Sequence, residues 1–380
     1  MSGNANPFEP PAGGLSLYLH VPFCERKCPY CAFESKVPSE GEKDLWLEMV
    51  ERELHWWEAR IGRPSLATCY IGGGTPTVLS GPEWARLAEM LESHFTFDAD
   101  AEVTVEANPN SLSADHLLFW REWRTTRVSI GVQSFDDAEL AQLGRLHTAA
   151  RACEAISASL ASGFSVNADF MFGLPGQTFR NWARTLSQAA ASGIAHISLY
   201  QLTIEPGTEW GSMPEDELSD GYLPYRWAQW YLPLKGFGQY EIANFAKYGH
   251  ESRHNINYWK EGDYLGIGPG ASGHIKGWRY KNISGLSRYS GSLKKGASAI
   301  ASGERLKGSR RASEAAVLAL RMKQGIEMEA FAQKYGSDEE SRIIKLLEAF
   351  PEDLYSVSGN RISLTPKGMR VANRIWSELV

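Results

Sequence analysis

Apolar and β-branched residues gather in short runs along the first half of the chain, at 15–21, 67–72, 102–106, 127–132, 165–172 and 196–202. Runs of this length, bounded by turn-forming residues, read as buried strands. Between them, segments such as 43–60, 82–95, 149–161 and 178–191 place apolar side chains every three or four residues, which is the period of an amphipathic helix. A strand–helix unit repeated six times demands a parallel sheet, either open or closed into a barrel.

The pattern changes after about residue 240. Residues 236–245 read as one more strand, and a Gly-rich stretch follows at 262–273. From 307 onward come three helical patterns, a hairpin at 354–364 turning through Gly359-Asn360, and a last helix from Pro366. That order is like a winged helix. The expected organisation is a core at 1–240, an extension at 241–306 and a C-terminal module at 307–380.

Polar and Gly-rich features mark one edge of the predicted sheet. Cys24, the run Gly72-Gly73-Gly74-Thr75-Pro76, Glu106-Ala107-Asn108-Pro109, Gln133-Ser134 and Asp169 each fall at or just beyond the carboxyl end of a strand. Parallel α/β folds bind ligands at that edge.

Composition narrows the class. Of 380 residues, 43% are hydrophobic and 22% charged, which suits a folded globular chain, and the net charge of -6 gives no reason to expect nucleic acid or an anionic membrane. In the C-terminal module the helix that would enter a DNA groove begins Ser337-Asp338-Glu339-Glu340, a sound first turn but a poor surface for phosphates. The first residues show no basic start followed by an apolar run, and no later stretch is long and apolar enough for a membrane span, so a cytoplasmic location is expected. Five cysteines are too few for a disulfide scaffold. Cys69 and Cys153 stand alone and read as small core residues. The other three form the only cysteine cluster.

Cys24-Glu25-Arg26-Lys27-Cys28-Pro29-Tyr30-Cys31 spaces its thiols as C-x3-C-x2-C directly after the first strand. Three thiolates on a cubane of four irons leave one iron without a protein ligand. A structural zinc site asks for a fourth ligand, for which His20 is the nearest candidate.

This spacing, after the first strand of a six-fold βα pattern, resembles the radical S-adenosylmethionine superfamily. The resemblance implies an α/β fold with a partial (β/α)6 TIM-like barrel, a C-terminal extension and a small winged-helix-like α+β module. It also implies a 4Fe-4S cluster on Cys24, Cys28 and Cys31, whose open iron is chelated by S-adenosylmethionine and whose electron cleaves the sulfonium. Further segments sharpen the likeness: Ser16 to Cys24, Gly72-Gly73-Gly74-Thr75-Pro76, Glu106-Ala107-Asn108-Pro109, Gly131-Val132-Gln133-Ser134-Phe135, Leu143-Gly144-Arg145-Leu146-His147 and Gly173-Leu174-Pro175-Gly176-Gln177. Together they resemble the family of oxygen-independent coproporphyrinogen III oxidase, HemN, and the heme chaperone HemW. By motif, that family implies Tyr18, Gly73, Gly74, Thr75, Glu106, Gln133, Arg145 and Asp169 as S-adenosylmethionine contacts.

Two segments separate the branches. The oxidase branch carries another cysteine two residues after the third ligand, where this chain has Phe33. His254-Asn255-Ile256-Asn257-Tyr258-Trp259 resembles the chaperone branch's H-N-x-x-Y-W motif. That branch implies heme as a bound cofactor or cargo, a heme-accepting protein and an electron donor as partners, and no coproporphyrinogen oxidation. His254 is the candidate axial ligand, with Tyr258 and Trp259 as ring surfaces for a porphyrin. Related sequences often have a histidine where Ser272 stands, and His274 is the nearest substitute. The alternatives left open are the oxidase itself and a radical enzyme acting on another substrate.

Overall fold

A computed structural model describes residues 14–379 of the chain. Six βα units follow one another: β1 (Leu15–Val21), α1 (Glu42–Ile61), β2 (Ser65–Gly73), α2 (Gly81–His94), β3 (Thr96–Ala107), α3 (Ala114–Glu122), β4 (Arg127–Gln133), α4 (Asp137–Gln142), α5 (Ala149–Ala161), β5 (Ser165–Phe172), α6 (Phe179–Ala191), β6 (His196–Gln201) and α7 (Tyr222–Leu234). The six strands lie side by side in chain order and all parallel. They are apolar almost throughout because helices cover the sheet; β1 has only Tyr18 short of full burial.

The chain then widens this sheet at both ends. Beyond β6, β8 (Asn244–Ala246) adds antiparallel to it, and β7 (Gly238–Gln239) pairs antiparallel with β8 at the outer edge. The stretch expected as one strand at 236–245 is therefore a pair of short strands, since the chain folds back at Tyr240–Ala243 with Tyr240 N on the Asn244 carbonyl. After α8 (Arg253–Trp259), β9 (Tyr264–Ile267) lies parallel to β1 on its other side. β10 (Ser272–Ile275), β11 (Trp278–Asn282) and β12 (Ile300–Arg305) continue outward antiparallel, with α9 (Leu286–Lys294) between the last two. Among the described residues the result is one sheet of twelve strands in the order β12-β11-β10-β9-β1-β2-β3-β4-β5-β6-β8-β7.

One hydrophobic core runs from Leu15 to Ala299, so the 241–306 extension shares the barrel's interior. Its tie is electrostatic as well as apolar. Glu53 of α1, 1% exposed, accepts bonds from the Tyr289 hydroxyl, Asn282 Nδ2 at 2.6 Å and Gly268 N at 2.9 Å.

The C-terminal residues have a second core, from Ala312 to Leu379. There α10 (Gly308–Arg321), β13 (Ile326–Glu327), α11 (Met328–Tyr335), α12 (Ser337–Glu348), β14 (Tyr355–Ser358) and β15 (Arg361–Leu364) take the order of a winged helix, with the sheet β13-β15-β14. The hairpin turns at Gly359-Asn360 as the sequence predicts. The last helix is broken in two, α13 (Pro366–Arg370) and α14 (Ala372–Leu379).

Candidate functional site

The three clustered cysteines lie on the loop between β1 and α1, half-buried and free of disulfides. The loop is pinned at its base and its tip. Cys24 N donates to the Lys36 carbonyl at 2.9 Å and Lys36 N to that of Pro22 at 3.0 Å. Lys27 Nζ reaches the carbonyls of Phe33 and Ser35. At the tip, Pro29 accepts from Trp210 N and packs on Gly144, while Tyr30 joins a small apolar cluster with Leu143, Met171, Leu174 and Leu202. The thiols are thus held by two separate parts of the barrel rim.

Two of the expected contacts touch sulfur directly. Thr75 Oγ1 donates to Cys24 Sγ at 3.3 Å, and Arg145 Nη1 lies 3.6 Å from Cys28 Sγ. Arg145 also gives Nη2 to the Gly131 carbonyl at 2.8 Å, but its buried Nε has no partner. An unsatisfied guanidinium nitrogen beside a thiol fits a site completed by an anionic group. Burial raises the Cys31 thiol above its ordinary value, so its thiolate needs a cation such as iron to be favoured.

Zinc fits these residues poorly. His20 is buried with both ring nitrogens engaged, Nε2 by the Glu34 carbonyl at 2.7 Å and Nδ1 by the Tyr18 hydroxyl at 2.9 Å. Three thiolates with no fourth side-chain ligand at hand among the described residues suit a cubane cluster with one open iron.

The glycine run has a local explanation. Gly73 has φ +106, and a Cβ there would fall 2.3 Å from the His20 ring. A Cβ on Gly74 would lie 2.5 Å from the Phe23 carbonyl oxygen. With no side chains, Gly74 N and Thr75 N reach the carbonyls of Val21 and Phe23 at 2.8 and 2.6 Å. The run therefore braces the cysteine loop, whatever ligand its backbone also meets.

Glu106 and Asp169 form an acidic pair across the sheet's carboxyl edge. Glu106 accepts from the Tyr70 hydroxyl at 2.7 Å and Gly73 N at 2.9 Å; Asp169 accepts from Asn167 Nδ2 at 2.7 Å and Ser129 Oγ at 3.3 Å. Burial lifts both carboxyls, Glu106 to about 7, and the charge of Asp169 pushes Glu106 further the same way. Gln133 ends β4 at φ 69, a left-handed conformation uncommon for a residue with a side chain, and Gly131 below it leaves room for both its amide and Arg145. Gly73, Gly74, Thr75, Glu106, Gln133 and Arg145 thus share one rim with the cysteines, whereas Tyr18 and Asp169 sit three residues inside the carboxyl ends of β1 and β5. Sequence reasoning missed Tyr70 and Asn167, which hold the two carboxylates; both sit mid-strand with nothing local to mark them.

His254 departs from its expected role. It is 1% exposed on α8, between Thr68 Oγ1 at 2.7 Å on Nδ1 and the Tyr258 hydroxyl at 2.6 Å on Nε2, and stacks on Tyr70. Thr68 spends its proton on Ser16, so His254 Nδ1–H donates to Thr68 and Nε2 accepts from Tyr258. Burial drops its basicity to about 3. Neither nitrogen offers a free lone pair to an iron, and the observed role is to dock α8 on β2. Trp259 instead stacks under Arg321 of the C-terminal module, 4.4 Å from its ring centre. Tyr258 does face a cavity of 430 Å³ beside the cysteine loop, which Phe33, Tyr264, Ser272 and Lys281 also line. His274, two residues along β10 from Ser272, has its Nδ1 on the Gly262 carbonyl.

Residues 18–189 match the profile of the Radical SAM superfamily and 308–371 that of the HemN C-terminal domain. The heme chaperone HemW of Mycobacterium tuberculosis is 34% identical over 97% of this chain and 96% of its own. The HemW of Escherichia coli is 41% identical over 69% of this chain and 70% of its own. The chain belongs to the HemW family. Its fold is also that of coproporphyrinogen III oxidase (HemN) from Escherichia coli, with a TM-score of 0.86 over 96% of this chain and 90% of the other at 24% identity. In this HemW-family chain Phe33 is 67% exposed and lines the cavity. No helix among the described residues is long and apolar enough to cross a membrane.

Proposed function

We propose that this chain is a cytoplasmic heme chaperone with a radical S-adenosylmethionine core: it binds a four-iron four-sulfur cluster, S-adenosylmethionine and heme, and hands heme to an acceptor protein. The observation that carries this reading is similarity to HemW along almost the whole chain, at 34% identity, combined with an unblocked three-thiol loop. When bound, the cluster supplies one electron to the sulfonium of S-adenosylmethionine. That electron comes from a donor protein.

The chain's own residues do the rest. Cys24, Cys28 and Cys31 ligate three irons, with Thr75 and Arg145 steadying the first two sulfurs. Glu106 and Asp169 take the cosubstrate's amino and ribose groups, Gln133 adds a hydrogen bond, and Arg145 brings its unpaired Nε to the carboxylate. Tyr18 and the Gly73-Gly74-Thr75 strap wall the site. Two buried carboxyls that repel each other are relieved by a cationic ligand, and this favours S-adenosylmethionine over neutral nucleosides.

S-adenosylmethionine should therefore perturb the electron paramagnetic resonance signal of the reduced cluster. Glu106→Ala or Asp169→Ala should weaken that response by about tenfold in affinity or more while leaving the cluster in place. Because only ionised Glu106 attracts the ammonium group, wild-type affinity should fall as pH drops through about 7. Undiminished response in both variants would remove these residues from the site.

The oxidase alternative shares the fold. It is disfavoured because Phe33 puts an exposed aromatic ring where that branch has a thiol, and a ring can neither donate a proton nor bear charge. Coproporphyrinogen III, reductant and S-adenosylmethionine given anaerobically to the cluster-loaded protein should yield no protoporphyrinogen IX. Its accumulation would restore the oxidase reading.

A further inference from the structure

Beyond the cluster loop, the described residues contain one trio of metal-ligating side chains gathered in space: His55 and Glu58 of α1 and His94 at the end of α2, with ligand atoms all within 4.8 Å of one another. α1 leaves the cysteine loop and runs back along the sheet, so its second half and the end of α2 lie toward the amino edge of β2 and β3, away from the cluster. We propose that His55, Glu58 and His94 form a second metal site, one that takes a divalent zinc-like ion and ties the end of α2 to α1.

The donor arrangement supports this in four ways. His55 Nδ1 lies 2.8 Å from the Glu51 carbonyl, which can only accept, so the proton sits on Nδ1 and Nε2 keeps its lone pair. A ring whose other nitrogen donates to a backbone carbonyl is the usual state of a metal-bound histidine. His94 is 6% exposed, and burial lowers its basicity, which keeps it in the neutral form that ligates. Its Nδ1 stands 2.9 Å from Glu58 Oε2, while the ring meets His55 edge to face with centres 4.5 Å apart. Two donors at about 2.0–2.1 Å from one zinc stand roughly 3 Å apart, so an ion that displaces the proton between them turns this contact into shared ligation with little movement. All three residues sit on helices that pack against each other, with His55 and Glu58 one turn apart on the same face.

Two imidazoles and a carboxylate are a recurrent zinc donor set with a fourth position left to water. An ordinary His–Glu hydrogen bond would account for His94 and Glu58 alone. It does not account for the exposed His55 ring, which its backbone bond fixes with a ring nitrogen in the same cluster.

The test uses cluster-loaded protein, whose cysteine thiols are already occupied, dialysed without oxygen against buffered micromolar zinc and analysed for bound metal. One zinc ion per chain should be retained in addition to the cluster iron, and the Tm should rise with free zinc as a ligand for the folded state demands. His55→Ala, a change at an exposed side chain, should lower zinc affinity by about tenfold or more and abolish the zinc-dependent rise in Tm. Its iron and sulfide content and its zinc-free Tm should match the wild type. Glu58→Gln should lose the ion likewise. No zinc on the wild-type protein, or zinc retained equally by His55→Ala, would overturn the assignment.

Discussion

Cys24→Ala, Cys28→Ala and Cys31→Ala should each lose the brown chromophore. Anaerobic reconstitution of the wild type should give about four iron and four sulfide per chain, because three thiolates at this spacing suit a cubane with one open iron. The loop offers no replacement donor. His20, the nearest imidazole, is locked between Tyr18 and the Glu34 carbonyl, and the exposed Phe33 contributes none. Cys69→Ala and Cys153→Ala are the controls. Cys69 is fully buried in β2, and Cys153 sits half-buried on α5 with Gln188 on its sulfur, so both variants should keep the full complement of metal. Stoichiometric zinc without sulfide in protein never exposed to oxygen would contradict the assignment of the loop.

How much of this was legible in the chain depended on how locally each feature is encoded. The six parallel strands and most of the covering helices coincide with the predicted runs to within a few residues, apart from the start of β3. There Thr96–Ala101 alternates two aspartates with small alanines, and only Phe97 is a large apolar residue, half-buried, so no apolar run marks the strand until Val103. The cysteine spacing, the glycine run and the rim residues are local patterns and were legible. The seat of β9 beside β1 was not. It rests on contacts between residues far apart in sequence, Glu53 with Gly268, Asn282 and Tyr289, and no periodicity announces such a pairing. The same holds for His254. Its neighbours in sequence suggested a ligand, whereas its partners in space, Thr68 and Tyr70, lie nearly two hundred residues away and consume its hydrogen-bonding capacity.

Glu53→Ala should be among the most destabilising single changes in the core, costing roughly 3–5 kcal/mol. It strands the Tyr289 hydroxyl, Asn282 Nδ2 and Gly268 N in a water-free interior, and these three donors hold the outer strands against α1. Denaturant unfolding of the purified protein measures the loss. The pH dependence has a definite sign. Burial raises Glu53 from its usual range to about 7 despite those hydrogen bonds. A carboxyl that binds its proton more tightly when folded contributes stability fully below its unfolded value near 4.5, and that stability drains away as pH rises through about 7. Glu53→Gln keeps one acceptor oxygen and cannot ionise. It should flatten the fall in Tm between roughly pH 4.5 and 7, whereas an unchanged slope would show that Glu53 does not titrate there.

A radical S-adenosylmethionine scaffold that serves heme handling must itself bind heme. The direct test is an anaerobic titration of the cluster-loaded chain with heme, followed in the Soret region. A shifted band should appear, saturate at a fixed heme-to-chain ratio and transfer to an apo-acceptor on mixing. A spectrum identical to free heme at every ratio, from protein whose cluster is intact, would contradict that role.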